Sequence, residues 1–172
     1  MNYQMLLESI KDISREAGKA IMDVYAREGE MDITTKENDS PLTEADLAAH
    51  RIIVDLLREL TPALPILSEE SRAIPWEERQ YWDTYWLVDP LDGTKEFISR
   101  NGEFTVNIAL IDNGRPLMGV VYVPVKDVLY SGGPDGAFKE ENGNSEAIES
   151  AKINKDQHTV AVVASRSHKG DE

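Results

Sequence analysis

The stretch YWLVDPLDGTKEF, residues 85–97, runs a short apolar segment directly into two carboxylates, a glycine and a threonine. The apolar segment is typical of a buried strand, and Asp89 and Asp92 then stand three residues apart where that strand ends. Asp-Pro and Asp-Gly are ordinary turn sequences, so DPLDG taken alone favours a surface turn. The alternative is a metal-assisted phosphate site, since hard cations such as Mg²⁺ prefer carboxylate oxygens.

Two helical patterns precede this stretch. In residues 3–28, apolar side chains recur at spacings of three and four with charges between them, which predicts an amphipathic helix. The same periodicity predicts a second helix that starts at the N-cap Thr43 and continues to residue 60. Between them, residues 32–41 are typical of a short strand followed by a turn rich in Asn, Asp, Ser and Pro.

From residue 84 onward the patterns are mostly those of strands. We predict an irregular loop over residues 73–83, and tight turns at DNGR and GGPDG. Helices followed by a β meander indicate an α+β layered arrangement. The predicted strands lie, in chain order, within 65–71 and at 84–88, 104–111, 116–124, about 127–131, about 137–140 and 159–165.

Composition narrows the class of protein. The 172 residues suit one domain, the absence of cysteine excludes disulfides and thiolate metal sites, and no apolar run approaches the roughly 20 residues of a membrane span. The N-terminal residues mix acids and bases, so we expect no signal peptide and a cytoplasmic location. A net charge of −14 disfavours a nucleic-acid polymer as partner. An anionic ligand would need bound cations to invert the local field.

Several oxygen-bearing side chains lie where an apolar segment meets a loop. Each has an ordinary interpretation: Asp46 could cap the helix that Thr43 begins, and Glu69 with Glu70 could be a solvated strand end. The histidines His50, His158 and His168 lack zinc-ligand spacing and are interpreted as structural or exposed. If GTKEFI opens a helix after Gly93, its first amides could hold an anion.

Three motifs, which occur in the expected order along the chain, favour the functional interpretation of these residues over the ordinary one. The motifs are WLVDPLDGTKEFI (86–98), LSEES (67–71) and KENDSPLTEADLAAHRII (36–53). They resemble the signature segments of the inositol monophosphatase superfamily, whose members are Mg²⁺-dependent, lithium-sensitive phosphatases. Within it, LDGTKEF followed by GEFTVNIALI is similar to the bacterial 3′(2′),5′-bisphosphate nucleotidases. The resemblance implies a layered α/β sandwich of the sugar-phosphatase type, with this chain as its N-terminal portion.

The resemblance also implies roles for individual residues. Two or more Mg²⁺ ions would be held by Glu69, Asp89, the Leu91 carbonyl and Asp92, with Glu70 as a further ligand or a water-mediated contact. Asp46 and Thr94 would orient and deprotonate the attacking water. The substrate phosphate would lie against Glu69, Leu91, Asp92, Gly93 and Thr94. Lys36 would tune the site, and the alternative is that Lys36 is a solvated surface lysine.

The implied reaction is hydrolysis of the 3′-phosphate of adenosine 3′,5′-bisphosphate to AMP and phosphate, in sulfur assimilation. The superfamily's downstream motif, Trp-Asp-x-Ala-Ala-Gly, does not occur here, so we expect a C-terminal portion of the domain to be missing. The alternatives are an inositol monophosphatase or other sugar phosphatase, and a silent metal-binding fragment that pairs through an exposed sheet edge. A homodimer and a peripheral position at the inner membrane face also stay open.

Overall fold

The computed structural model describes residues 2–27, 33–35, 41–71, 73–152 and 159. Helices and strands alternate at first and give way to a β meander, which confirms the predicted α+β class. None of the helices in these residues is long and apolar enough to cross a membrane. The elements in chain order are α1 (Tyr3–Tyr25), β1 (Ile33–Thr35), β2 (Pro41–Thr43), α2 (Glu44–Leu60), β3 (Ile66–Ser68), α3 (Trp76–Arg79), β4 (Thr84–Asp92), α4 (Thr94–Ile98), β5 (Thr105–Asp112), β6 (Arg115–Val123), β7 (Val128–Gly133), β8 (Gly136–Glu141) and β9 (Asn144–Ile148).

Seven strands form one sheet in the order β3-β4-β5-β6-β7-β8-β9. Strand β3 pairs in parallel with β4, and every later pairing is antiparallel. The predicted DNGR turn joins β5 to β6, where Asn113 and Gly114 both have positive φ, as a tight hairpin of this twist requires. β1 and β2 form a separate two-stranded sheet.

The two long helices pack against each other and cover one face of the large sheet. The predicted apolar faces are the ones that they bury: Ile10 and Ile21 of α1 and Ile53 and Leu57 of α2 are completely inaccessible. α1 lies over β5, β6 and β7, while α2 lies over β4 and buries Trp86 beneath it. Burying such side chains stabilises the fold by roughly 1.5–3 kcal/mol each. The start of α2 is thereby fixed above the end of β4.

The opposite face of the sheet is apolar and largely open in the described part of the chain. Leu87 of β4 and Val121 of β6 are 43% and 42% exposed, although side chains of this type are usually buried in a sheet. A cavity of about 520 Å³ opens on this face, and Ala109 and Gly119 form part of its floor. Exposed apolar surfaces of this kind are typical of interaction surfaces and ligand-binding grooves.

Some local predictions were wrong. α1 ends at Tyr25 rather than at residue 28, and residues 76–79 of the predicted loop form the short helix α3. Strands β2 and β9 were not predicted, since β2 begins at the last residue of the expected turn and ends at the predicted N-cap, and β9 is almost entirely exposed. The predicted strand at 159–165 lies outside the described residues except for Thr159.

Candidate active site

The carboxyl ends of β3 and β4 bring the first two acids together. Because the strands are parallel, with Ser68 opposite Val88, both chains leave the sheet at the same edge. The amide of Glu69 donates a hydrogen bond to the Val88 carbonyl at 3.0 Å, which extends the pairing by one step. Glu69, just past the end of β3, and Asp89, within β4, therefore lie side by side, as two predicted metal ligands must.

A β-bulge shapes the segment that follows. Asp89 is opposite Asn107 of β5, whereas Asp92 is opposite Thr105, so three steps on β4 match two on β5. The extra residue lies at Pro90-Leu91, and proline fits there because a bulge leaves an amide without a ladder partner. The bulge places Asp92 beside Asn107, whose Nδ2 donates to the Asp92 Oδ2 at 3.2 Å.

The electrostatics of Asp89 distinguish this site from a surface turn. Burial, followed by the neighbouring charges of Glu69, Asp92 and Glu70, raises the pKa of the Asp89 carboxyl from 3.8 to about 7. Its Oδ1 atom is buried and has no hydrogen-bond partner among the described residues. A buried carboxylate among carboxylates is unfavourable until positive charge joins it. The cluster thus carries the charge and the oxygen atom that a divalent cation would use.

The types of ligand atom at this site support Mg²⁺ binding more directly than their spacing does. As they stand in the described part of the chain, no three Asp, Glu or His side chains form a group that could hold a metal ion. Mg²⁺ usually takes only one or two carboxylates and completes its six ligands with water and phosphate oxygens. The carboxylates of Asp89 and its neighbour Glu69 are a donor pair of that kind, and the charge of Asp92 also acts on Asp89. The residues therefore fit the cation.

Asp46 and Thr94 meet through a hydrogen bond, although 48 residues separate them. The Thr94 hydroxyl donates to the Asp46 Oδ1 at 3.1 Å and lies 3.4 Å from the Leu91 carbonyl oxygen. The other oxygen of Asp46 accepts from the Thr43 amide at 2.8 Å and from the Thr43 hydroxyl at 2.5 Å. Asp46 is completely buried. It caps its helix with one oxygen and reaches the predicted partner with the other.

Gly93 sets the direction in which Thr94 points. Its φ of +94° is one that glycine adopts without strain, and a Cβ added there would lie 2.9 Å from the Glu103 carbonyl oxygen. The expected helix after Gly93 is confirmed as α4, a single turn. It is held by Phe97, whose ring packs 5.2 Å from the rings of both Tyr25 and Phe104.

Sequence reasoning missed three residues next to these acids. His50, interpreted above as structural or exposed, is half-buried, and its Nδ1 lies 2.9 Å from the Oγ of buried Ser68. Burial and the nearby Arg58 charge lower the pKa of His50, which leaves the imidazole neutral at pH 7. Asn107 positions Asp92. The sequence held two signals for these residues: His50 comes one helical turn after Asp46, and Asn107 is an amide side chain inside an apolar strand.

Glu70 and Lys36 were also predicted to belong to the site. Glu70 lies close enough for its charge to act on Asp89, so it belongs to the acid cluster. Lys36 lies outside the described residues, as do His158 and His168.

The acid cluster of Glu69, Asp89 and Asp92 thus lies on the same α+β fold as the hydrogen-bonded pair of Asp46 and Thr94. Residues 2–171 match the inositol monophosphatase family, and the chain belongs to that family. This confirms the resemblance carried by the three motifs.

Individual relatives place the chain more narrowly. It is 54% identical over 163 residues to the 3'(2'),5'-bisphosphate nucleotidase CysQ of Escherichia coli strain K12, covering 95% of this chain and 64% of that protein. It is 53% identical over 167 residues to the CysQ nucleotidase of Salmonella typhimurium strain LT2, covering 97% of this chain and 66% of that protein. The crystal structure of CysQ from Bacteroides thetaiotaomicron superposes with a TM-score of 0.70 at 43% identity, over 88% of this chain and 54% of that one. The chain thus spans just under two thirds of these curated relatives and about half of the solved structure.

Proposed function

We propose that this chain is part of a Mg²⁺-dependent phosphomonoester hydrolase that removes the 3′-phosphate from adenosine 3′,5′-bisphosphate, giving AMP and phosphate. The substrate class follows from its CysQ relatives, which are 3′(2′),5′-bisphosphate nucleotidases. The same reaction would place it in sulfur metabolism. The related sulfated nucleotide is a second candidate substrate.

The observation that carries the proposal is the hydrogen bond from the Thr94 hydroxyl to Asp46. A threonine hydroxyl has one proton, and donating it to Asp46 leaves the oxygen lone pairs to accept a proton from an adjacent water. Thr43 holds Asp46 in place with two hydrogen bonds, so the pair is fixed before substrate arrives. Asp46 then takes on the proton that passes through Thr94, as a general base must.

Hydrolysis by this route also requires a bound cation, which the acid cluster would hold. When bound, Mg²⁺ lowers the pKa of a coordinated water and stabilises negative charge on phosphoryl oxygens. Asp89, Glu69 and Asp92, with the Leu91 carbonyl, would hold the cation, and Glu70 would act nearby. Gly93 lets this turn lie close against Glu103, and the substrate phosphate would contact the amides of Gly93 and Thr94 at the start of α4.

We also propose that these residues form the N-terminal portion of a larger catalytic domain. The coverage of the relatives and the open apolar face around Leu87 and Val121 support this arrangement. A further layer packed on that face would bury the cavity there, which has Glu69 and Asp89 in its lining. It would bring additional residues close to the acids.

The first test is phosphate release by the 172-residue chain in Mg²⁺, offered adenosine 3′,5′-bisphosphate and inositol 1-phosphate in parallel, with lithium as inhibitor. Lithium-sensitive release from the nucleotide supports the proposal. Release from inositol 1-phosphate alone would refute the substrate assignment. If a folded chain releases phosphate from neither, it is a silent fragment that needs the rest of the domain.

Thr94→Ala tests the proton path in whichever form of the protein is active. We expect kcat to fall by about a hundredfold or more with little change in KM, because the lost group acts on water rather than on substrate. Thr84→Ala is the matched control, since Thr84 makes a comparable 2.6 Å hydrogen bond to Asp112 at the far end of the same strand. A change confined to KM would count against the role of Thr94.

A further inference from the structure

The contact between His50 and Ser68 joins two elements that carry different parts of the proposed site. His50 lies on α2, and its Nδ1 is 2.9 Å from the Ser68 Oγ. Ser68 is 4% exposed and is the last residue of β3. A neutral imidazole and a hydroxyl can hydrogen-bond in either tautomer, since each group can donate or accept.

Both ends of this hydrogen bond lie next to proposed active-site residues. His50 follows Asp46 by four residues, so the two side chains share one face of α2 and are one turn apart. Ser68 immediately precedes Glu69, and its own carbonyl accepts from the Ser71 amide at 3.0 Å, which closes the turn containing Glu69 and Glu70. The Glu69 amide is itself bound to β4 through Val88.

Other contacts between α2 and this strand end are few. α2 packs mainly on α1 and on β4, and β3 lies at one edge of the sheet in the described part of the chain. Edge strands have pairing on only one side, and β3 has only three residues. The backbone hydrogen bonds described for the turn after β3 run to β4 and within the turn itself. The hydrogen bond to His50 holds it from the helix side.

We propose that His50 is a positioning residue for the divalent-cation site, acting through Ser68 to fix the Glu69 carboxylate relative to Asp46. The inference rests on the proposed function, because it takes Glu69 to be a cation ligand. His50 contacts neither the cation nor the substrate. It keeps two catalytic elements, the acid turn and the base-bearing helix, at a constant separation.

The test measures cation affinity directly, with Mn²⁺ as the paramagnetic probe for the Mg²⁺ site in the full 172-residue chain. The variants are His50→Ala, Ser68→Ala, the double variant and His50→Asn, whose carboxamide can present a polar atom close to the position of Nδ1. Thr84→Ala is the control, because it removes a hydrogen bond between β4 and β5 far from the acids. Thermal unfolding is recorded for each variant, so that stability and affinity are separated.

We expect His50→Ala and Ser68→Ala each to weaken Mn²⁺ binding by about tenfold, the lower end of what losing an outer-shell partner of a metal ligand costs. The double variant should bind no more weakly than either single variant, because both remove the same hydrogen bond. His50→Asn should recover most of the affinity. Thr84→Ala should lower the melting temperature and leave Mn²⁺ binding unchanged.

Three outcomes would overturn the inference. Mn²⁺ affinity within twofold of wild type in both single variants would show that the contact serves stability alone. Additive losses in the double variant would show that the two residues act separately. Absence of Mn²⁺ binding by the wild-type chain would overturn the proposed metal site as well, which distinguishes that failure from the first two. Should His50→Ala not fold, Ser68→Ala breaks the same contact and decides the question.

Discussion

Replacing Asp89 with asparagine should have opposite effects on the stability of the chain and on its binding of cations. At pH 8 without divalent cations, wild-type Asp89 is ionised although it is half-buried beside Glu69 and near Asp92. Asp89→Asn removes that charge and keeps the shape of the side chain. It also removes the oxygen ligand that a cation would need.

The magnitude follows from the raised pKa. The carboxyl titrates at about 7 in the folded chain and at 3.8 in its ordinary state. Between these values the folded state holds the proton and the unfolded state does not, so the free energy of unfolding falls as pH rises from about 4 to about 7. Each pH unit is worth about 1.4 kcal/mol, which sets a ceiling of about 4 kcal/mol. Solvent access and the hydrogen bond between Asp89 and Glu69 reduce this, and we expect Asp89→Asn to add about 1–3 kcal/mol at pH 8.

Urea unfolding at pH 5 and pH 8 in a chelator measures the effect, and a second series in Mg²⁺ measures cation binding. Asp55→Asn is the matched control, because Asp55 changes the net charge equally from a solvent-exposed position on α2. In Mg²⁺, wild type should gain stability and Asp89→Asn should not. Equal effects of Asp89→Asn at both pH values, or a gain matched by Asp55→Asn, would refute the argument that Asp89 is destabilised by its acidic neighbours.

The remaining predictions concern the backbone and the open face of the sheet. Gly93→Ala should lower the free energy of unfolding by about 2–4 kcal/mol in urea titrations, because positive φ adds to a clash with the Glu103 carbonyl. Gly114→Ala, at a φ of +74° with no atom within 4 Å of an added Cβ, should cost only about 1 kcal/mol; equal losses would show that the clash is relieved. Leu87→Lys should reduce concentration-dependent self-association in sedimentation, whereas Tyr81→Lys, 78% exposed elsewhere, should not. Identical sedimentation of Leu87→Lys and wild type would show that this face does not drive self-association.

The sequence predicted the elements whose apolar periodicity is strong. α1, α2 and the strands from β4 to β6 have clear repeats, and Asn113-Gly114 is a specific hairpin turn. β9 has no apolar repeat, since four of its five residues are exposed, and it exists because its backbone pairs with β8. The Asn142-Gly143 pair is the one local signal for that hairpin. Short elements such as α3 depend on contacts that periodicity does not record.

The candidate site likewise has residues that the sequence predicted and residues that it did not. The acids of β4 were predictable, because a family motif carries Asp89, Asp92 and Thr94 together. The hydrogen bond between His50 and Ser68 was not, because it depends on how α2 packs against the edge of the sheet. Tertiary packing brings together side chains whose sequence positions carry no shared pattern.

Asp46 shows why the ordinary and the functional interpretation of one residue need not compete. As a helix cap it requires one carboxylate oxygen pointing at the Thr43 amide, and as a base partner it requires the other pointing at Thr94. A carboxylate has two oxygens with separate lone pairs, so one side chain meets both requirements at once. The cap also serves the chemistry, because it fixes the rotamer from which Asp46 reaches Thr94. The capping position of Asp46 in the sequence is therefore compatible with its proposed catalytic role.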